Sequence, residues 1–188
     1  MRAELNWKPD RLDVGAFARE GAELHGRWVA SDLPRWLESQ WCPVEEAERL
    51  PAIDWSLRGE RRERLGSPPE VWLHLSVSTG YRLECQRCLQ AVERTVSVDR
   101  SFRFVRDEAS AESEDLDSDE DLLVLSRTFD ARELIEDELL LALPLVPLHE
   151  ACSAPEFASE PEGVSGEEPS QDERPNPFAA LAVLKKQD

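Results

Sequence analysis

The sequence predicts an α+β fold: an antiparallel sheet or partly closed barrel with helices packed on it, plus an acidic disordered loop and tail. Three observations predict it. Apolar residues alternate with period two on either side of a Cys-x-x-Cys turn at 85–88, amphipathic helical pieces flank those runs, and acidic stretches rich in Ser, Pro and Gly interrupt the pattern. With 188 residues there is room for one ordinary domain with a real core. That domain is assigned to residues 1–152, followed by a disordered acidic linker over 153–175 and a short helical docking segment over 176–186.

In chain order, Trp7, Trp28, Trp36, Trp41 and Trp55 are spread over short amphipathic pieces, with Trp72 just beyond. So many indoles call for a well-packed core. Asp10 is placed to cap a short helix carrying Leu12, Ala16 and Phe17, and Leu33, Trp36 and Leu37 sit at helical spacing. Ile53, Trp55 and Leu57 alternate like a half-buried strand. Beyond Gly66-Ser67-Pro68-Pro69, one face carries Val71, Leu73, Leu75 and Val77 and the other Trp72, His74 and Ser76. Thr79-Gly80 interrupts the run, then Tyr81, Leu83 and Cys85 resume it. Past the turn, Val92, Val96, Val98, Phe102 and Phe104 share a face, with Arg94 and Arg100 as exceptions on it. The reading is two long antiparallel strands joined across the cysteines, their charged positions facing water.

Residues 107–121 are acidic and poor in apolar side chains, so little offsets the entropy of ordering them, and they are expected to form a mobile loop. Leu122-Leu123-Val124-Leu125 reads as a buried strand, although periodicity alone does not separate it from a helix segment. The clearest helix follows. Asp130 and Glu133 make a capping-box arrangement, Leu134, Ile135, Leu139, Ala142 and Leu143 form the apolar stripe, and Pro144 stops it. Its other side carries Glu133, Glu136, Asp137 and Glu138, ordinarily a solvated face and alternatively a surface for a basic partner. At the far end Asn176-Pro177 has helix-start chemistry and Lys185-Lys186 suits a helix end, with Phe178 and Leu181 on one face.

A formal charge of -18, from 40 acidic and 22 basic residues, weighs against a grip on bare nucleic acid and favours a basic protein partner. The start of the chain has no apolar h-region and no run approaches the ~20 apolar residues of a membrane span. A cytoplasmic protein is expected, whose four cysteines are thiols or ligands rather than disulfides.

Zinc takes about four N or S ligands in a tetrahedron, and a Cys-x-x-Cys turn supplies two of them. Cys85 and Cys88 with His149 and Cys152 would complete the set; the competing reading is two thiols closing a hairpin and one unrelated cysteine. Cys42 reads as a small buried hydrophobe. A redox motif needs a helix N-terminus to activate its thiol, and here strands flank the cysteines on both sides. Phosphate loops, nucleophile elbows and zincin helices are absent from the sequence, His74 reads as a packing or solvent-facing residue, and no catalytic residue is assigned.

Three segments together carry a resemblance: Leu83-Glu84-Cys85-Gln86-Arg87-Cys88-Leu89, the run from Ile135 through Leu143-Pro144-Leu145-Val146-Pro147-Leu148-His149, and Pro175-Asn176-Pro177-Phe178-Ala179 through Leu184-Lys185. In that order they resemble the YceD family, the large ribosomal RNA subunit accumulation proteins. The N-terminal third matches only in general character. The resemblance implies a non-enzymatic cytoplasmic factor needed for synthesis, processing or accumulation of 23S rRNA. Combined with the charge, it points to a basic large-subunit ribosomal protein or pre-ribosomal particle as partner, with 23S rRNA contacted directly or indirectly and no membrane involved. The contact surfaces expected are Glu133, Glu136, Asp137 and Glu138 together with Asn176, Pro177 and Phe178. The alternatives are a zinc-binding adaptor, or a direct RNA-binding or RNase-recruiting factor using Arg82, Arg87, Arg94, Arg100 and Arg103.

Overall fold

A computed structural model of the chain describes residues 7–115 and 121–152. A five-stranded open sheet in the order β1-β2-β3-β4-β5 forms its centre: β1 (Glu23–Trp28), β2 (Ile53–Arg62), β3 (Glu70–Glu84), β4 (Ala91–Val105) and β5 (Asp121–Val124). The helices are α1 (Val14–Arg19), α2 (Pro34–Ser39), α3 (Glu108–Asp115) and α4 (Ala131–Leu141). The fold is α+β, and the sheet does not close into a barrel.

Period-two patterning does what it predicts. β3 and β4 pair antiparallel from Val71↔Phe104 to Glu84↔Ala91, the hairpin turning at the cysteines. Leu73, Leu75, Val77, Val96, Val98 and Phe102 all point into one core with Phe17 of α1, Trp36 of α2 and Ile135 and Leu139 of α4. Ser56, Ser76, Ser78, Ser97 and Ser101 lie on the opposite, exposed face. Of the indoles, Trp36, Trp55 and Trp72 are buried, Trp7 and Trp28 lean on the core, and Trp41 is exposed.

Several local expectations change. The first helix is capped by Asp13, whose Oδ1 accepts from Ala16 N–H at 2.9 Å, while Asp10 sits in the preceding 3-10 turn. Strand β3 runs unbroken through Thr79-Gly80. A Cβ on Gly80 would lie 2.6 Å from Pro51 Cγ, so the gap in the apolar pattern marks a close approach of chain. Residues 108–115, expected as loop, are helical, because Asp107 accepts from Ser110 N–H at 2.9 Å and acidic residues suit a helix N-terminus. Helix α3 carries the chain over to β5, which is why β5 pairs with β4 in parallel while every other pair is antiparallel.

Helix α4 is capped by Asp130 as expected, its Oδ1 accepting from Arg132 and Glu133 N–H at 2.9 and 3.0 Å, but no return bond from Asp130 N–H to the Glu133 carboxylate completes a capping box. Its acidic side is not a single solvated face. Glu136 is buried against the start of α2, where it accepts from the backbone N–H groups of Arg35 and Trp36 at 2.6 and 3.0 Å and from Arg35 Nε at 2.9 Å. No side chain of its own caps α2, so a carboxylate from another helix satisfies those orphan donors. Glu138 is buried too, 3.7 Å from the Arg100 guanidinium that also meets Asp121. The arginine on the core face of β4 therefore has its partner on the helix that covers it, while its tip reaches solvent.

Candidate metal centre

Strand β3 ends at Glu84 and delivers Cys85 into a tight turn closed by Cys85 N–H to Gln90 O and Leu89 N–H to Cys85 O, both 2.9 Å. Leu89 completes it in the left-handed region at φ 60°, and Cys88 lies between them. The other two residues come from the chain after α4. Gln86 N–H donates to Pro147 O at 3.0 Å, Arg87 donates to Cys152 O at 2.9 Å, and His149 Nε2 lies 2.8 Å from Ala91 O. These three bonds sew residues 147–152 onto the hairpin end.

The ligand atoms of Cys85, Cys88, His149 and Cys152 lie within 4.8 Å of one another. Sγ of Cys85 is 3.7 Å from Sγ of Cys152, and Sγ of Cys88 is 3.4 Å from Nδ1 of His149. A tetrahedron with Zn–S bonds of about 2.3 Å has S···S edges of about 3.8 Å and S···N edges of about 3.6 Å, so the spacing fits. The carbonyl of Ala91 fixes the histidine as the Nε2–H tautomer, which leaves Nδ1 with its lone pair toward the sulfurs.

Burial pushes the Cys85 thiol up, yet backbone N–H groups of Cys88, Arg87 and His149, with the Cys88 side chain, outweigh it and bring it down to about 5. Cys152 is pushed up, first by burial and then by the neighbouring sulfurs of Cys85 and Cys88. Three sulfurs at this range repel one another as thiolates; a divalent cation among them reverses that penalty. Cys85 has no exposed surface, so its thiolate is available to a neighbour in the cluster and not to an external substrate.

The four residues singled out in the sequence as a ligand set are thus together, and Cys42 lies apart, half-buried. The acidic set is divided. Glu133 is exposed and Asp137 binds Arg35 at 2.5 Å, whereas the buried Glu136 and Glu138 face Arg35 and Arg100 and present little surface. Asn176, Pro177 and Phe178 lie outside the described residues. The hairpin arginines do not form a free basic stripe: Arg82 pairs with Glu46 and Glu93, Arg94 with Glu150, Arg100 with Asp121, Arg103 with Glu114, and Arg87 with a carbonyl. Sequence reasoning missed the supporting atoms, Ala91 O and the Gln86 to Pro147 bond, because backbone partners leave no trace in residue type.

The family model described as large ribosomal RNA subunit accumulation protein YceD matches residues 73–185, a span that holds all four clustered residues. A curated protein of that name from Haemophilus influenzae is 36% identical over 113 residues, covering 55% of this chain and 59% of the relative. The match thus spans less than two thirds of that relative's length. No solved structure matches.

Proposed function

The chain belongs to the YceD family of large ribosomal RNA subunit accumulation proteins, and from that premise we propose that it is a non-enzymatic factor of large ribosomal subunit biogenesis. It supports 23S rRNA accumulation by binding a basic ribosomal protein or an assembly intermediate. The observation that carries the choice of partner is electrostatic: a charge of -18 stands beside hairpin arginines that already hold acidic or carbonyl partners. Phosphate binding would have to break those pairs against the net field, whereas a cationic protein is attracted by it. Exposed Glu133 and the segment 176–186, reached through the linker 153–175, are the contacts we assign from the original set.

We assign zinc to Cys85, Cys88, His149 and Cys152, in a structural role. Four protein ligands leave no open position for a substrate or water, and a bound ion supplies a cross-link between the hairpin end and the segment after α4. Cytoplasmic thiols stay reduced, which suits that assignment. No helix of the described residues is long and apolar enough to cross a membrane.

Affinity purification of the tagged full chain from growing cells, before and after RNase treatment, tests the reading. Large-subunit proteins enriched over small-subunit ones, and retained after RNase, are the expected result. Enrichment of RNA alone, or loss of every ribosomal protein on RNase treatment, would replace it with the RNA-binding alternative. Metal analysis of the same sample is expected to give about one zinc per chain.

A further inference from the structure

We propose that Leu141, Leu145 and Val146 form a preformed docking patch for a cationic, amphipathic protein segment; the choice of a cationic partner rests on the function proposed above. These side chains are 76%, 100% and 59% exposed, although the chain that bears them is held at both ends. Leu141 ends α4, and three residues beyond Pro144 the buried Pro147 offers its carbonyl to Gln86 N–H at 3.0 Å, with His149 fixed on Ala91 O directly after. Two prolines restrict φ across the segment. The leucine and valine therefore face water because a fixed backbone presents them, and little ordering remains when a partner covers them.

The surroundings select the occupant. Glu133, Asp137 and Leu141 follow one another at i, i+4 and i+8, so an acidic line on α4 leads directly into the apolar residues. That end of α4 carries the negative pole of the helix dipole with no basic residue in its last turn. Four residues after Val146 in the chain, Glu150 is 88% exposed. Asp137 and Glu150 are paired with Arg35 and Arg94, so the acidic charge left over beside the apolar residues is that of exposed Glu133 and of the helix end. An apolar centre with an acidic rim fits Leu-like anchors flanked by Lys or Arg. A nucleic acid would bring more negative charge to the rim, and a second copy of this chain would set like charges against each other.

The test uses the full zinc-loaded chain and individually purified basic proteins of the large ribosomal subunit, with affinity read by fluorescence anisotropy. Three variants are compared: the double variant Leu145→Ser/Val146→Ser, Leu145→Lys, and Leu65→Ser. Leu65 is equally exposed, at 106%, but lies in the turn between β2 and β3. Zinc content and circular dichroism report that each variant is folded. The expected result is a Kd raised ~10-fold or more by the double variant and by Leu145→Lys, with Leu65→Ser unchanged. Binding by the double variant equal to that of the wild type would overturn the patch and leave the proposed function standing. Equal weakening by Leu65→Ser would reduce the patch to general apolar adhesion and overturn it. Absence of any binding by the wild type would overturn both.

Discussion

Glu136 holds three donors on one buried carboxylate, two of them backbone N–H groups at the start of α2. Glu136→Ala removes the acceptor of the buried Trp36 N–H and the part-buried Arg35 N–H, and is expected to cost about 2–4 kcal/mol, read from the urea midpoint. Glu136→Gln keeps an acceptor for the backbone pair and should cost less. Glu60 offers a pH test on the opposite face of the sheet. Hydrogen bonds from Arg62 and then His74 lower its carboxyl from the ordinary 4.5 to about 2. A carboxyl depressed in the folded state adds stability that is complete above pH 4.5 and is lost as pH falls through about 2. Glu60→Gln should therefore flatten the stability profile between those values and lower stability at neutral pH, where the contribution of the wild-type carboxylate is complete. An acid limb as steep as that of the wild type would show that the pair is not formed in solution. The four clustered residues were legible at this scale, since residue type and spacing named Cys85, Cys88, His149 and Cys152 before any geometry did. The fate of Glu136 was not, because its partner Arg35 lies 101 residues away and nothing local distinguishes a buried glutamate from an exposed one.

Helix α1 lies so close on β2 that Gly59 has room for no side chain: a Cβ there would sit 2.7 Å from Phe17 and 2.8 Å from the Ala18 backbone. Gly59→Ala should push the two elements apart and cost about 1–3 kcal/mol, seen as a lowered melting temperature. The segment after α4 is held by a different device. If a metal ion is its clasp, chelation should speed exchange of the Gln86 amide, which donates to Pro147 O, while amides deep in the β3–β4 ladder such as that of Leu75 keep their protection. Equal exchange before and after chelation would mean that backbone bonds alone hold the segment. The β3–β4 hairpin and α4 were readable because their apolar periods run over many residues. The parallel placement of β5 was not, for the composition of 107–121 resembles that of a solvated loop and the cap at Asp107 occupies a single position. Whether the two pairs converge was left open by the sequence, since it depends on a backbone bond between residues 86 and 147.

Over the whole molecule, an excess of acidic residues combines with hairpin arginines that are already paired, so positive charge is locally spent and negative charge is left over. Such a surface attracts basic proteins from a distance and discriminates against bare phosphate backbones, and both effects weaken as salt screens them. The apolar residues 141, 145 and 146 then supply short-range contact where the field delivers its partner. The measurement that bears most directly on this account is a titration of the purified full chain against individual basic large-subunit proteins and against 23S rRNA fragments, at low and physiological salt. The account predicts saturable binding to at least one basic protein with a Kd of about 1 µM or below, weakened by salt, and no saturable binding to the RNA. Tight, salt-sensitive binding to 23S fragments with no affinity for any basic ribosomal protein would contradict it.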